Sequence, residues 1–339
     1  MRLTEGKLNI SIGGMVGSEG KAVLNAHIAI SNHVDVAITN AAPNAGHTFF
    51  YHGRKYIAKH LPVTGIIHTR CQIYLCAGAI INPKILLDEL DRFGISHDRM
   101  AIHPRCAIIT EEDIQHERSD DSSVTLVSST QSGVGAALVR KINRSAKLAR
   151  DIPELQHMVC ELPLHEYLDS GCTALMEVPQ GFELGINSGI EYPYCTSREI
   201  SVSYALSDAQ VHPSYLGKVC VCIRTFPIRV GNIVKDGVEL GFSGPFNSDS
   251  VEMTWDDLGV KAELTTVTGR IRRVASFSMI GYRKMIDALR PDYVLLNFAN
   301  YMKRDQLSDL LESLPEVTHL GFGPDQKDVY LNSGYFKGD

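Results

Sequence analysis

At 339 residues, with 44% hydrophobic and 21% charged side chains, the chain has a globular balance and ample apolar material for a large core. Its formal charge of −6 excludes a general nucleic-acid coat, which needs a basic surface, yet a few local Arg and Lys can still hold a small anionic substrate. No apolar run reaches membrane-spanning length and no basic segment precedes an apolar one at the start, so a cytoplasmic protein with no membrane or nucleic-acid partner is expected.

Leu8–Ile12 is a short apolar strand that leads into Gly13-Gly14-Met15-Val16-Gly17-Ser18-Glu19-Gly20-Lys21. Helical spacing then runs from Ala22 to Ile30, and Val34–Thr39 reads as a second strand. This order of strand, glycine loop, helix and strand predicts an α/β fold with a mostly parallel central sheet flanked by helices. A glycine-rich turn opening a helix offers backbone N–H groups and the positive end of the helix dipole to a phosphate, and Lys21 adds a point charge. The loop is P-loop-like only: Met15 stands where a standard P-loop needs glycine, and Ala22 replaces its Ser or Thr. Taken alone, it reads equally well as a phosphate cradle or a structural turn. Just after the second strand, Asn44-Ala45-Gly46-His47-Thr48 gathers an amide, a flexible backbone, an imidazole and a hydroxyl.

Asn82-Pro83, a helical apolar pattern and Gly94 predict a helix with its cap, first-turn proline and glycine stop. The polar stretch Glu111–Ser123 reads as a solvated loop. Thr173–Val178, Val219–Thr225 and Tyr293–Phe298 are further buried strands, and Tyr301–Leu311 a short surface helix. The eight cysteines form no C-x-x-C pair, and Cys220 and Cys222 share one face of a strand, which favours packing over zinc or disulfide. With no internal repeat or low-complexity linker, a single domain over residues 1–339 is expected.

The ordered motifs carry a resemblance. Gly17–Lys21 and Asn44–Thr48 are followed by Gln180-Gly181, Tyr192-Pro193-Tyr194-Cys195-Thr196-Ser197 and Arg229-Val230-Gly231. Gly244-Pro245-Phe246, Thr268-Gly269-Arg270-Ile271-Arg272-Arg273 and Gly321-Phe322-Gly323-Pro324-Asp325 complete the series. In this order the chain resembles the adenylosuccinate synthetase family, over nearly its whole length. The resemblance implies that family's fold and a ligase reaction in two steps: a nucleoside triphosphate phosphorylates a purine 6-oxygen, and the aspartate amine displaces that phosphate.

It also implies roles. His47 would stabilise and protonate the 6-oxygen, and Ser18 occupies the other catalytic position. The triphosphate would meet Gly17, Ser18, Gly20, Lys21, Gly46, His47, Thr48 and Arg272, with its base against Asn297, Gly321, Gly323 and Pro324. Mg²⁺ would lie near Ser18 and Gly46. The purine monophosphate would contact Ser18, Asn44, Ala45, Thr130, Gln180, Thr196, Val230 and Arg270, with Arg144 reaching across a homodimer interface. Aspartate would sit on Thr266, Val267, Thr268, Arg270 and Arg272, whose guanidinium groups suit carboxylates.

Three departures from the family pattern refine this. Ser18 stands where the family places an aspartate general base; this fits a dead enzyme, a substrate needing less help, or one whose shape excludes a carboxylate. With Glu19, Lys21, His47, Thr48, Gln180, Arg270 and Arg272 intact, the third reading is favoured: guanine carries a 2-amino group beside N1, where that base would sit. The chain is therefore similar to the family's phage branch, the 2-aminoadenylosuccinate synthetases, which act on dGMP toward 2-aminoadenine for phage DNA in the host cytoplasm. Water, a substrate phosphate or a substrate carboxylate are alternatives for taking the N1 proton. Second, the family's guanine-reading Thr-Lys-Leu-Asp becomes Leu296-Asn297-Phe298-Ala299. Ala299 accepts nothing, and two lost charge-assisted bonds are worth roughly 1.5–3 kcal/mol each. Asn297 can pair with adenine, so ATP or dATP is expected over GTP. Third, the chain is shorter than the family norm, with material missing after Asn297 and around residues 150–170. An ordinary adenylosuccinate synthetase acting on IMP and a non-catalytic nucleotide sensor are the alternatives.

Overall fold

The apolar runs assemble into one nine-stranded sheet in the computed structural model, which describes residues 1–119, 126–265 and 269–335. In chain order its strands are β1 Leu8–Gly13, β2 Val36–Thr39, β3 Gln72–Leu75, β4 Met100–Ile102 and β5 Ala174–Gly181. They continue as β6 Leu216–Arg224, β7 Tyr293–Asn297, β8 Val317–Gly321 and β9 Val329–Leu331. Across the sheet the order is β9-β8-β7-β6-β1-β5-β2-β3-β4, with every neighbour parallel except the antiparallel edge pair β8–β9. A parallel sheet is covered on both faces, so its strands need apolar side chains on both. All six residues of β1 are accordingly buried.

Alternation along β6 divides the core. Val219, Val221 and Ile223 pack with Ile10, Met176 and Leu296 on one face. Cys220 and Cys222 point the other way, onto Leu24 and Ile28 of helix α1, Lys21–Ser31. Both thiols are buried packing groups, as their shared strand face suggested, and burial pushes the Cys220 thiol up to about 12. Among the described residues no helix is long and apolar enough to cross a membrane.

Helix α2 spans Val63–Ile67 and helix α3 Pro83–Phe93. The Asn82 side chain caps α3 by accepting from the Ile85 N–H at 3.2 Å, and Gly94 ends it at φ 65°, as the sequence pattern predicts. The expected loop at Glu111–Ser123 is corrected over its described part. Glu111–Arg118 forms helix α4, opened by a Thr110/Asp113 capping box. Its two buried carboxylates, Asp113 and Glu117, are satisfied by protein. The Glu117 carboxylate accepts from Gly133, Gly135 and Ala136 at the start of helix α5, Val134–Ile142, and Asp113 pairs with Arg140 of that helix. Residues 120–123 of that stretch lie outside the described residues.

Residues 149–158, in the region where the resemblance implies missing material, run as two short 3-10 turns before the helix Leu164–Asp169. After β7 a single turn, Ala299–Tyr301, leads to the helix Arg304–Glu312, close to the expected Tyr301–Leu311.

Candidate active site

The motif loops follow the carboxyl ends of β1, β2, β5, β7 and β8, the edge of a parallel sheet where ligands bind. The first leaves β1 with the Gly14 N–H on the Cys222 carbonyl at 2.9 Å and enters α1 through Gly20 at φ 83°. No side chain fits at Gly20: a Cβ there would lie 2.2 Å from the Asn297 amide nitrogen. The interior of the loop holds its own carboxylate. Glu19, fully buried, accepts from the Met15 and Gly17 N–H groups at 3.2 and 2.9 Å and from Lys21 Nζ at 2.8 Å. Burial alone would raise its pKa, but the Lys21 charge and these bonds hold it below the usual range. The loop shape and the Lys21 position are thus preset, with the first-turn N–H groups of α1 lacking intrahelical partners.

Ser18 adopts the left-handed conformation at φ 53°, which costs a non-glycine residue about 1–2 kcal/mol. Two arginines hold it there. Arg224 donates to its carbonyl at 2.9 Å, and Arg272 donates to its hydroxyl. Arg224 is fully buried at the end of β6, pairs with the Glu263 carboxylate at 2.6 Å and lies 4.0 Å from the Phe298 ring centroid. Arg272 also donates to the Leu264 carbonyl at 3.2 Å, and Tyr301 donates to Glu263 at 3.1 Å. Arg224 and Glu263 are functional neighbours that the motif pattern missed; the one available signal was an arginine closing an apolar strand.

The second loop brings Asn44–Gly46 over α1 and turns into the hairpin His47–Tyr51/Arg54–Ala58. Phe50 bridges to Asp325 in the loop after β8, which ties the hairpin to the opposite wall. The Asn44 side-chain oxygen is buried with no partner among the described residues, an orphaned acceptor facing the site. Burial pushes the His47 imidazole down to about 3, with the Lys21 charge adding to the effect and Glu19 opposing it. His47 is therefore neutral at neutral pH, with one N–H to donate.

These walls enclose a cleft of about 560 Å³. Its lining includes Asn44, Gln180 and Val230, Ser18, Lys21 and His47, and Phe298, Asn300, Gly323 and Pro324. A family model described as adenylosuccinate synthetase matches residues 10–161 and 147–308.

The chain belongs to the adenylosuccinate synthetase family.

Among relatives, the N6-succino-2-amino-2'-deoxyadenylate synthase of Vibrio phage phiVC8 is 35% identical over 342 residues, covering 93% of this chain and 95% of that protein. The adenylosuccinate synthetase of Archaeoglobus fulgidus is 34% identical over 268 residues, covering 78% and 75%. Among solved structures, cyanophage S-2L succinoaminodeoxyadenylate synthetase, bound to dGMP and dATP as an energy donor, superposes with a TM-score of 0.87 at 31% identity over 97% of this chain and 96% of that one.

In this member of the adenylosuccinate synthetase family, most expected site residues meet in the cleft. Gly17, Ser18, Gly20, Lys21, Asn44, Ala45, Gly46, His47 and Thr48 line it. So do Thr130, Gln180, Val230, Arg272, Asn297, Gly323 and Pro324. Others stand outside the lining. Thr196 donates its N–H to the carbonyl of the lining residue Leu184 at 2.7 Å. The Arg270 guanidinium donates to the Ser128 carbonyl at 3.1 Å, beside Thr130. Arg144, exposed at φ 61° beyond α5, is not part of the cleft lining. Gly321 packs on Asn297, where a Cβ would lie 2.3 Å from the amide oxygen. Thr266, Val267 and Thr268 lie outside the described residues.

Asn297 needs a correction of role. It borders the cleft but is buried, donates to the Glu19 carbonyl at 3.1 Å and accepts from the Phe298 N–H at 3.0 Å. An amide engaged at both ends braces the phosphate loop instead of pairing with adenine.

Glu183 was not anticipated. It follows the Gln180-Gly181 end of β5, buried behind the loop, and accepts from Asn247 at 2.6 Å. Burial raises its pKa to about 7, against the lowering effects of Asn247, Lys284 and Arg229. A carboxyl raised in the folded state keeps a proton that the unfolded chain releases above about 4.5. Its contribution to folding therefore weakens as pH rises from about 4.5 to about 7. Thermal unfolding should show Glu183→Gln gaining on wild type between pH 5 and pH 8, by up to roughly 3 kcal/mol. Parallel pH dependence in the two proteins would disprove this.

Proposed function

We propose that the chain couples L-aspartate to the 6-position of dGMP with consumption of ATP or dATP. The reaction passes through a 6-phosphoryl intermediate and yields 2-amino-2'-deoxy-N6-succinyladenylate. The observation that carries this reading is Ser18: a neutral hydroxyl stands on the phosphate loop, inside the cleft and against Arg272, where the family has a carboxylate. A hydroxyl leaves room for a 2-amino group. The orphaned Asn44 oxygen adds an acceptor that suits the donor-rich edge of guanine. The phage relatives and the dGMP-bound neighbour carry names that agree with this substrate.

In the first step the 6-oxygen attacks the terminal phosphorus, the N1 proton passes to water or to a substrate phosphate or carboxylate, and the nucleoside diphosphate leaves. In the second the aspartate amine attacks C6 and inorganic phosphate departs. Lys21 and the start of α1 take the phosphates, and catalysis rests on position and charge neutralisation. His47 donates its N–H to the 6-oxygen as negative charge gathers there. With the imidazole held down to about 3, full protonation of that oxygen, as the family resemblance implied, is replaced by hydrogen-bond donation. Arg272 and Arg270 stand beside the loop proposed for aspartate, and Arg144 is exposed as a contribution to a partner's site in a homodimer requires. The whole chain acts as one ligase domain.

The protein donor set fits a magnesium ion carried by the nucleotide rather than by the chain. Among the described residues no three His, Cys, Asp or Glu converge, and Glu19 is engaged inside the loop. Ser18 and Gly46 offer neutral oxygens at the cleft, the kind of sparse protein ligation that Mg²⁺ on a triphosphate needs. When bound, the ion neutralises phosphate charge.

The test is Ser18→Asp. The variant should raise the ratio of IMP to dGMP turnover in kcat/KM by about 10-fold or more, because the loss of one well-fitted contact or a clash there is worth about 1–3 kcal/mol. An unchanged ratio would remove the steric argument for dGMP.

A further inference from the structure

We infer that Glu183 is a positioning residue: with Asn247 and Arg229 it sets the loop that presents Leu184 and Thr196 to the purine monophosphate. This rests on the dGMP reading proposed above. Glu183 lies on the turn Phe182–Leu184, directly after β5 and directly before Leu184, which lines the cleft. The Leu184 carbonyl accepts from the Thr196 N–H at 2.7 Å, so a shift of this turn moves both residues.

Separate segments converge on this turn and the strand of loop beside it. The Glu183 N–H donates to the Met15 carbonyl of the phosphate loop at 3.2 Å, and its carbonyl accepts from the Ile190 N–H at 3.2 Å. Its carboxyl accepts from the Asn247 amide at 2.6 Å and packs on Gly281 of the helix Met279–Leu289, where a Cβ would meet both side chains. Arg229 donates through Nη1 to the Tyr194 and Ser243 carbonyls at 3.3 and 2.5 Å, and its buried Nε and Nη2 have no hydrogen-bond partner among the described residues. The charges that act on the Glu183 carboxyl are Lys284 and Arg229, which favour its ionisation, and Glu19, which opposes it; burial outweighs the first two.

The closed loop therefore keeps a proton on Glu183 up to about pH 7, whereas the same carboxyl swung out into water ionises near 4.5. Closure takes up a proton, so it weakens as pH rises from about 4.5 to about 7 and changes no further above that. The affinity for dGMP weakens with it. In Glu183→Gln, which does not titrate, this component is absent.

The test is KM and kcat for dGMP from pH 5 to pH 8, with ATP and aspartate saturating, in wild type and Glu183→Gln. Titration of dGMP itself is common to both proteins and cancels in their ratio. The ratio of wild-type to variant KM should rise by about 10-fold between pH 5 and pH 7 and then level off, within the limit of one decade per pH unit. The kcat values should stay close, because Glu183 touches no reacting atom; a merely structural defect would lower the active fraction, and so kcat, at unchanged KM. A constant KM ratio would overturn the inference. Should Glu183→Gln fail to fold, Asn247→Ala decides: it removes a donor that favours the carboxylate, so the rise in KM should extend to higher pH, and a profile that follows wild type would overturn the inference. Wild type that does not ligate dGMP would overturn the ligase reading itself.

Discussion

Replacing His47 with alanine is expected to lower kcat for ligation by roughly 100- to 1000-fold, the usual cost of removing one donor to a developing oxyanion. The KM for the triphosphate should change little, since in the proposed reaction the phosphates are held by Lys21 and the start of α1. The imidazole sits at the head of the hairpin, whose partner strand and Phe50–Asp325 bridge fix its position in the cleft. Burial and Lys21 keep it neutral, which in the proposed reaction suits it to hydrogen-bond donation. The sign of the pH dependence follows. A histidine lowered to about 3 in the free enzyme loses its proton far below neutrality, so the kcat/KM profile should show no acid limb near pH 6.5 from this residue. A limb near 6.5 that disappears in His47→Ala would contradict this. His47→Asn, which keeps an N–H, should recover part of the rate.

The second large effect concerns the buried ion pair. Glu263→Gln leaves the fully buried Arg224 without its counter-charge, and breaking a buried pair from one side costs about 3–5 kcal/mol. Denaturant unfolding should show this loss, with most of it recovered in the double variant Arg224→Met/Glu263→Gln, where no charge is stranded. Single and double variants of equal stability would show that the pair is not what holds this region. Ser18 should report the damage too: Arg224 holds its carbonyl, and Glu263 pairs at 3.8 Å with the Arg272 that holds its hydroxyl. Triphosphate KM is expected to rise in the single variants before global unfolding does.

What the sequence made legible follows from how local each signal is. The strands were readable because a sheet buried on both faces demands near-continuous apolar runs, as in β1, β6 and β7. Asn82, Pro83 and Gly94 marked a helix because capping is decided within a few residues. Helix α4 was hidden because Glu117 and Asp113 are satisfied by α5, which the local composition does not show. Arg224 and Glu263 lie on separate segments and meet only in the fold. Asn297 was assigned to the base because an amide can pair with adenine; the fold engages that amide with the Glu19 carbonyl. Arg270 also holds the Ser128 carbonyl, a contact between distant segments that its motif does not show. The motif order located the cleft, while the division of labour inside it depends on contacts between distant segments.

The most direct test of the account is product formation from dGMP, GMP and IMP, each with ATP, aspartate and Mg²⁺ under matched conditions. The expected result is an N6-succinyl product from dGMP, with kcat/KM for IMP lower by about 10-fold or more, since one misfitted group in such a pocket is worth about 1–3 kcal/mol. Preferred turnover of IMP, or triphosphate left unconsumed when dGMP and aspartate are both present, would contradict it.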